Sequence, residues 1–169
     1  MIEIDALWGE IAQVYSYAGN IYLFDRGNSE IWKYPVIKDG YGERRRWLGA
    51  GITLDLSKVA DMKITGDVFL VTESGKLERY SRGVPVEFSM EGFPAVETAK
   101  RLVDPVAIYV TDDDVYVLER GADRVVVFGL DGKYKSQYVS EEFGKASDLV
   151  IYKNHGYVMV DNVVKEFGL

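Results

Sequence analysis

Few residues of this 169-residue chain have the types and the spacing that chemistry requires. His155 is the only histidine, and it lies in a turn formed by residues 153–156. A metal site or a general base normally needs further polar ligands or partners, so we assign His155 no role. The run from Asp112 to Asp114 lacks the spaced oxygen ligands and the terminal glutamate of a calcium loop. We interpret it as a polar hairpin turn.

Motifs of covalent and cofactor chemistry are also missing from the sequence. It contains no Gly-x-Ser-x-Gly elbow, no glycine-rich phosphate loop and no cysteine that could pair with His155. Without cysteine it has neither disulfides nor thiolate metal ligands. The sequence therefore predicts no catalytic residue, no bound metal and no cofactor, and hence a protein that is not an enzyme.

Charge and hydropathy narrow the classes of partner. The formal net charge is −7, and the only tight basic run is Arg44 to Arg46, so we expect no nucleic-acid binding. The chain begins with the acidic segment 1–5, unlike a signal peptide, and no apolar run approaches the roughly 20 residues of a membrane helix. We expect a soluble chain that does not itself insert into a membrane. The sequence does not indicate the cellular compartment. It is also compatible with a longer parent protein that has a membrane anchor.

The secondary-structure elements of the chain are predicted from an internal sequence repeat. Four apolar segments each end at an acidic or polar residue, namely Asp25, Thr72, Glu119 and Asp161, at steps of 47, 47 and 42 residues. A shared period of this length is typical of a repeat protein, in which each copy is one supersecondary unit. On this alignment Tyr22, Phe69, Tyr116 and Val158 occupy matched positions, and we predict that each is buried against a neighbouring unit.

Each copy contains four strands that become more polar along the chain. The second strand is apolar at four successive positions, which indicates that both of its faces are covered, whereas the fourth strand is largely polar. Radial packing of twisted four-stranded blades produces this gradient. We therefore predict an all-β, single-domain protein over residues 1–169, a β-propeller of four four-stranded blades. The blades are predicted at residues 8–48, 49–92, 93–140, and 141–169 plus 1–6.

The two ends of the chain predict how the ring closes. The last copy stops after its third strand, and the alternating segment with Ile2 and Ile4 precedes the first copy. We expect this segment to complete the last blade beside Val164 and Phe167, which would leave no long strand edge unpaired. Residues 95–102 could form either a short helix or a plain loop, and the sequence does not decide between them.

The segment from Asp123 to Lys133 resembles the end of an NHL-type propeller repeat, with an arginine, an apolar strand, an aromatic residue and then Asp-Gly. The whole chain also resembles the C-terminal propeller regions of bacterial phosphatase-like membrane proteins, most closely at residues 19–25 and 30–34. Related propellers usually carry six or more blades. The resemblance therefore implies a propeller that is excised, reduced or engineered, or one that assembles with another copy.

Calcium-dependent lactonases of the gluconolactonase type resemble NHL-like propellers and hold their metal with acidic and amide side chains in the central channel. On our alignment the channel strands of this chain offer aromatic and apolar side chains and a single amide, which together do not supply the set of oxygen ligands that a hard cation needs. These are Tyr15, Met62, Tyr109 and Ile151 at one register and Gln13, Ala60 and Ala107 at another. The tryptophans Trp8, Trp32 and Trp47 could form a binding face, but we interpret them as core between blades.

The function expected from the sequence is a non-catalytic propeller that serves as a binding or interaction scaffold for a protein or a small ligand. The alternative is a small metal-dependent hydrolase that uses the mouth of the channel. We expect a four-bladed monomer, and a head-to-tail homodimer that shares one eight-bladed ring is the alternative assembly.

Overall fold

The computed structural model describes residues 2, 5–94 and 101–169, and just over half of these residues lie in β-strands. The strands are β1 (Ile11–Tyr17), β2 (Asn20–Asp25), β3 (Glu30–Tyr34), β4 (Val36–Ile37), β5 (Gly40–Tyr41), β6 (Arg45–Arg46), β7 (Val59–Ile64), β8 (Val68–Thr72), β9 (Leu77–Ser81), β10 (Val84–Val86), β11 (Pro105–Val110), β12 (Asp114–Glu119), β13 (Arg124–Gly129), β14 (Tyr134–Val139), β15 (Ala146–Tyr152), β16 (His155–Val160) and β17 (Val163–Gly168). Three single-turn 3₁₀ helices connect them, at Leu56–Lys58, Arg120–Ala122 and Phe143–Lys145. No helix within these ranges is long and apolar enough to cross a membrane.

The strands form four small antiparallel sheets, which are the four blades of a β-propeller. Blade 1 contains β1, β2, β3 and β6, and a two-stranded hairpin of β4 and β5 is inserted between its last two strands. Blade 2 contains β7 to β10, blade 3 contains β11 to β14, and blade 4 contains β15 to β17. The predicted all-β propeller of four blades is therefore confirmed.

Three apolar clusters hold consecutive blades together. One lies between blades 1 and 2, the next between blades 2 and 3, and the third between blades 3 and 4, and each contains eleven buried residues among those described. The second strand of each blade is covered on both faces in the inner blades, as its continuous apolar sequence predicts. The hydrophobic core is thus divided into layers between blades.

The predicted burial of the matched positions holds, but their alignment is wrong in blade 4. Tyr22, Phe69 and Tyr116 are all buried. Their counterpart is Tyr157, because β15 pairs Val150 with Tyr157 as β11 pairs Tyr109 with Tyr116. Val158 is buried too, but it points to the opposite face of the sheet, toward blade 3.

The cause of this shift is a change of turn chemistry. Asp25 and Glu119 are the last residues of their strands, whereas Asp161 and Asn162 form a two-residue turn between Val160 and Val163. Both turn residues have positive φ angles, as tight hairpin turns require. An alignment on the acidic residue therefore places the last copy one residue out of register.

The predicted closing strand lies largely outside the described residues. Ile4 and residues 95–100 belong to that undescribed part, and Ile2 is described outside any strand. Phe167 packs toward blade 3, with ring centroids 5.0 Å from Phe143 and 5.5 Å from Tyr138. Val164 is exposed, and within the described ranges β17 pairs only with β16. Closure by Ile2 and Ile4 stays a prediction.

Candidate functional site

The innermost strand of each blade contributes one residue at an equivalent register position to a central channel. These residues are Gln13, Asp61, Ala107 and Asp148, each placed just after an irregularity at the start of its strand. They line a cavity of about 510 Å³ together with Ala60, Lys63, Val106, Ser147 and Met159. All four blades therefore meet at one polar cavity.

The two channel carboxylates were missed because the alignment of the first strand was wrong in two blades. The turn between Ile64 and Val68 is one residue shorter than the turn between Ser16 and Ile21, so Lys63 and not Met62 matches Tyr15. Met62 is instead fully buried between blades. In blade 4 the counterpart of Tyr15 is Val150 rather than Ile151. The short turn of residues 65–67 was the signal in the sequence that could have located Asp61.

Asp61 is nearly buried, with 5% of its surface exposed, and both of its oxygens accept hydrogen bonds. Its Oδ2 accepts from the backbone N–H of Ile108 at 2.9 Å. Its Oδ1 accepts from the N–H of Met62 at 2.8 Å and from Gln13 Nε2 at 2.7 Å. These donors come from three blades, so the Asp61 side chain joins blades 1, 2 and 3 at the channel.

Tyr15 completes this network from blade 1. Its hydroxyl donates to the backbone carbonyl of Met62 and lies 2.7 Å from Gln13 Oε1. Burial raises the pKa of the Tyr15 phenol well above its usual value, and the nearby charge of Asp61 raises it further. The hydroxyl therefore stays protonated and serves as a donor between blades.

Asp148 differs from Asp61 although it occupies the same register position. It is exposed, and one of its oxygens accepts from the N–H of Leu149 at 2.8 Å. The channel thus combines one structural carboxylate with one that faces the cavity. Among the described residues no group of three or more histidine, cysteine, aspartate or glutamate side chains is placed to hold a metal ion.

The residues for which we predicted no role lie away from the channel. His155 begins β16 at an outer turn, and its Nδ1 lies 2.8 Å from Glu166 Oε1, with both side chains about half exposed. Asp114 pairs with Lys135 across blade 3, and the Asp112–Asp114 run forms the predicted turn. Of the tryptophans, Trp47 packs against the core between blades 1 and 2.

Trp8 and Trp32 instead lie on the face of blade 1 that is turned away from blade 2. Trp8 Nε1 donates to the hydroxyl of Tyr34 at 2.9 Å, and the guanidinium of Arg44 lies 4.4 Å from the centre of the Trp32 ring. Trp32 Nε1 donates to Asp25 at 2.9 Å. Burial opposes ionisation of Asp25, but this bond and those from Gly9 and Asn28 together lower its pKa.

A second candidate site consists of two sheet faces that have no neighbouring blade. We define the blade-4 flank as the face of blade 4 turned away from blade 3, with Val150, Tyr152, Tyr157, Met159 and Val164. Val164 is 61% exposed, whereas its counterparts Ile31, Leu77 and Val125 are 0%, 3% and 0% exposed. The repeat thus places an apolar residue in solvent where it is otherwise core.

The blade-1 flank is the face of blade 1 turned away from blade 2, with Val14, Ile21, Leu23 and Trp32. Val14 is 63% exposed, and its counterparts in the other blades are all 0% exposed. These counterparts are Met62, Ile108 and Leu149, each paired with the same position of the second strand. Val14 is therefore exposed at a position that is core in the other blades, whereas Leu23 on the same flank is only 5% exposed.

Comparisons with known proteins show the fold alone. No model of a protein family matches this sequence, and a search of curated proteins finds no match. Among solved structures, the computationally designed Ika4 protein is 10% identical with a TM-score of 0.65, over 99% of this chain and 96% of Ika4. The virginiamycin B lyase of Staphylococcus aureus is 17% identical with a TM-score of 0.56, over 92% of this chain.

BamB from Moraxella catarrhalis is 12% identical with a TM-score of 0.54, again over 92% of this chain. This chain spans 54% of the lyase and 42% of BamB, about half the length of each. The solved structures that resemble it thus include an enzyme, BamB and a designed protein. The likeness therefore supports the propeller arrangement and does not indicate a function.

Proposed function

We propose that this chain is a non-catalytic scaffold that binds a polypeptide partner through the flanks of its two end blades. The observation that carries the proposal is the exposure of Val164 at a position that is core in the three other blades. Exposed apolar surface of this kind is typical of protein-interaction sites. The resemblance to NHL-type repeats, whose motifs here are structural, is compatible with this role.

The chemistry of the channel supports the same assignment. Both oxygens of Asp61 are engaged in bonds that join blades, which leaves Asp148 as the carboxylate that faces the cavity. A general acid and base, or a nucleophile and its base, need at least two groups free to react. The other ionisable group of the lining, Lys63, pairs with Asp61 at 3.9 Å, so it belongs to the network that joins the blades.

Photochemical cross-linking tests the proposal. A photoreactive phenylalanine analogue at position 164, in chains produced in living cells, should form a covalent adduct with a polypeptide on irradiation. The control is the same analogue at Val139, a valine that is 67% exposed on β14 at the outer edge of blade 3. Adducts at position 164 that do not exceed those at position 139 would contradict binding through the blade-4 flank.

A metal-dependent hydrolase is the second candidate, favoured by the presence of Asp61 and Asp148 in one cavity. Binding of a cation to the folded chain would raise the melting temperature by mass action. The scaffold proposal expects the same melting temperature in calcium chloride as in EDTA. A rise that grows with calcium concentration and disappears in an Asp148→Asn variant would favour the hydrolase instead.

A further inference from the structure

We propose that the partner of the two flanks is a second copy of this chain. Blade 4 of one copy packs on blade 1 of the other, and the reciprocal contact closes a two-fold symmetric ring of eight blades. The inference rests on the proposed function, because it names the partner that the flanks bind. It also selects the head-to-tail homodimer over the monomer that the sequence favours.

The repeat itself specifies what fits each flank. Each blade has one face with a residue equivalent to Val164, which we call the Val164-type position, and an opposite face with a residue equivalent to Val14, the Val14-type position. At every junction within the chain, the first of these faces packs against the second of these faces on the next blade. Leu77 and Ile108 occupy these two positions in the cluster between blades 2 and 3. Val125 and Leu149 occupy them in the next cluster. The described chain leaves one face of each type without a neighbouring blade, so two copies supply both missing junctions.

The chain does not make this junction with itself in the structure. The clusters of described buried residues join blades 1 to 2, 2 to 3 and 3 to 4, and none of them joins blade 4 to blade 1. Val14 and Val164 are both more than half exposed. A four-bladed ring closed by its own flanks would bury them.

The number of contacts also favours a stable dimer. Each internal junction contains eleven buried residues among those described, and a head-to-tail dimer makes two new junctions at once. The two contacts reinforce each other, because the first one makes the second intramolecular.

Light scattering coupled to size exclusion tests this inference. The wild-type chain should have twice the 19.1 kDa mass of the monomer across a dilution series. Val164→Asp and Val14→Lys should each weaken the dimer on the order of 100-fold or more, because each buries an unpaired charge in both junctions. Circular dichroism checks that both variants keep their β-structure, which the exposure of both positions in the single chain predicts.

A mixture of the two variants gives the sharpest result. A mixed dimer has one wild-type junction and one junction in which the aspartate introduced at position 164 of the first variant faces the lysine introduced at position 14 of the second. Mixing should therefore restore the doubled mass. The control Val139→Asp should remain dimeric. A wild-type mass of 19.1 kDa at all concentrations, a dimeric Val164→Asp variant, or a mixture that stays monomeric would each overturn the head-to-tail ring.

The cross-linking experiment separates this inference from the proposed function. An adduct of position 164 with peptides of blade 1 of the same chain supports both. An adduct with a different protein, together with a monomeric wild-type mass, would overturn the second copy as partner and leave the scaffold function standing. Absence of any adduct above the control would overturn both.

Discussion

At the residue scale, Asp61 shows how a single side chain fixes the positions of three blades. It accepts hydrogen bonds from Ile108 in blade 3, from Met62 in its own blade and from Gln13 in blade 1. A buried carboxylate is stable only when its oxygens are satisfied in this way. Asp61 is therefore part of the architecture, although it lines the cavity where chemistry would be sought.

Removal of Asp61 should consequently be costly. Asp61→Ala leaves two backbone N–H groups without acceptors and should lower the free energy of unfolding by roughly 2–4 kcal/mol. Asp148→Ala is the matched control, because Asp148 has the same register position but is exposed and accepts from one backbone N–H only, and it should cost about 1 kcal/mol or less. Urea denaturation measures both values, and equal costs would show that Asp61 does not join the blades.

Tyr15 makes the stability of the folded chain depend on pH in the alkaline range. Burial raises the pKa of its phenol in the folded chain, whereas an unfolded tyrosine ionises at about pH 10. Above that pH the unfolded chain binds fewer protons than the folded chain, so the contribution of Tyr15 to stability should be constant below about pH 10 and should decrease as the pH rises above it. Burial also raises the pKa of Tyr80 and Tyr116, which act in the same direction.

Tyr15→Phe should therefore make the fall of stability above about pH 10 less steep, because the variant lacks one of the groups that link folding to pH. The control is Tyr41→Phe, at an exposed tyrosine in the hairpin of β4 and β5. The measurement is the free energy of unfolding between about pH 8 and pH 11. Indistinguishable slopes for Tyr15→Phe and the wild type would contradict the assignment of Tyr15 as a buried phenol.

At the scale of elements, the second strands carry the contacts between blades. Phe69 and Tyr116 occupy matched positions and are buried against the next blade. Truncation of either to alanine should cost roughly 3–5 kcal/mol, the usual cost for a buried aromatic side chain. Tyr41→Ala, at an exposed aromatic, should cost less than about 1 kcal/mol. Thermal or urea denaturation of the three variants tests the blade register, which similar costs at all three sites would contradict.

The blades themselves could be predicted from the sequence because their signals are redundant. Four apolar second strands, each with a polar fourth strand or a chain end behind it, permit few arrangements other than radial packing. The register of the innermost strands could not be predicted as safely. It depends on turns that differ by one residue, as at residues 65–67, and a shift of one residue exchanges the two faces of a strand. Asp61 was therefore overlooked, and Met62 was wrongly assigned to the channel.

At the scale of the whole molecule, the decisive feature is the missing junction between blade 4 and blade 1. Three junctions are packed within the chain, and the residues that would form a fourth are exposed at its two ends. The single-chain sequence pattern predicts which faces are apolar, but it is the same for closure within one chain and between two chains. Only the exposure of Val14 and Val164 in the folded chain distinguishes these possibilities.

Site-specific cross-linking between these two positions tests the central claim most directly. The chain contains no cysteine, so a Val14→Cys, Val164→Cys double variant has two unique thiols for a short bismaleimide linker. The single Val164→Cys variant is the control and should give no covalent dimer, because its thiols lie in different junctions. For the double variant, the second-copy ring predicts a covalent product of twice 19.1 kDa. A product of 19.1 kDa in which positions 14 and 164 of the same chain are linked would contradict it.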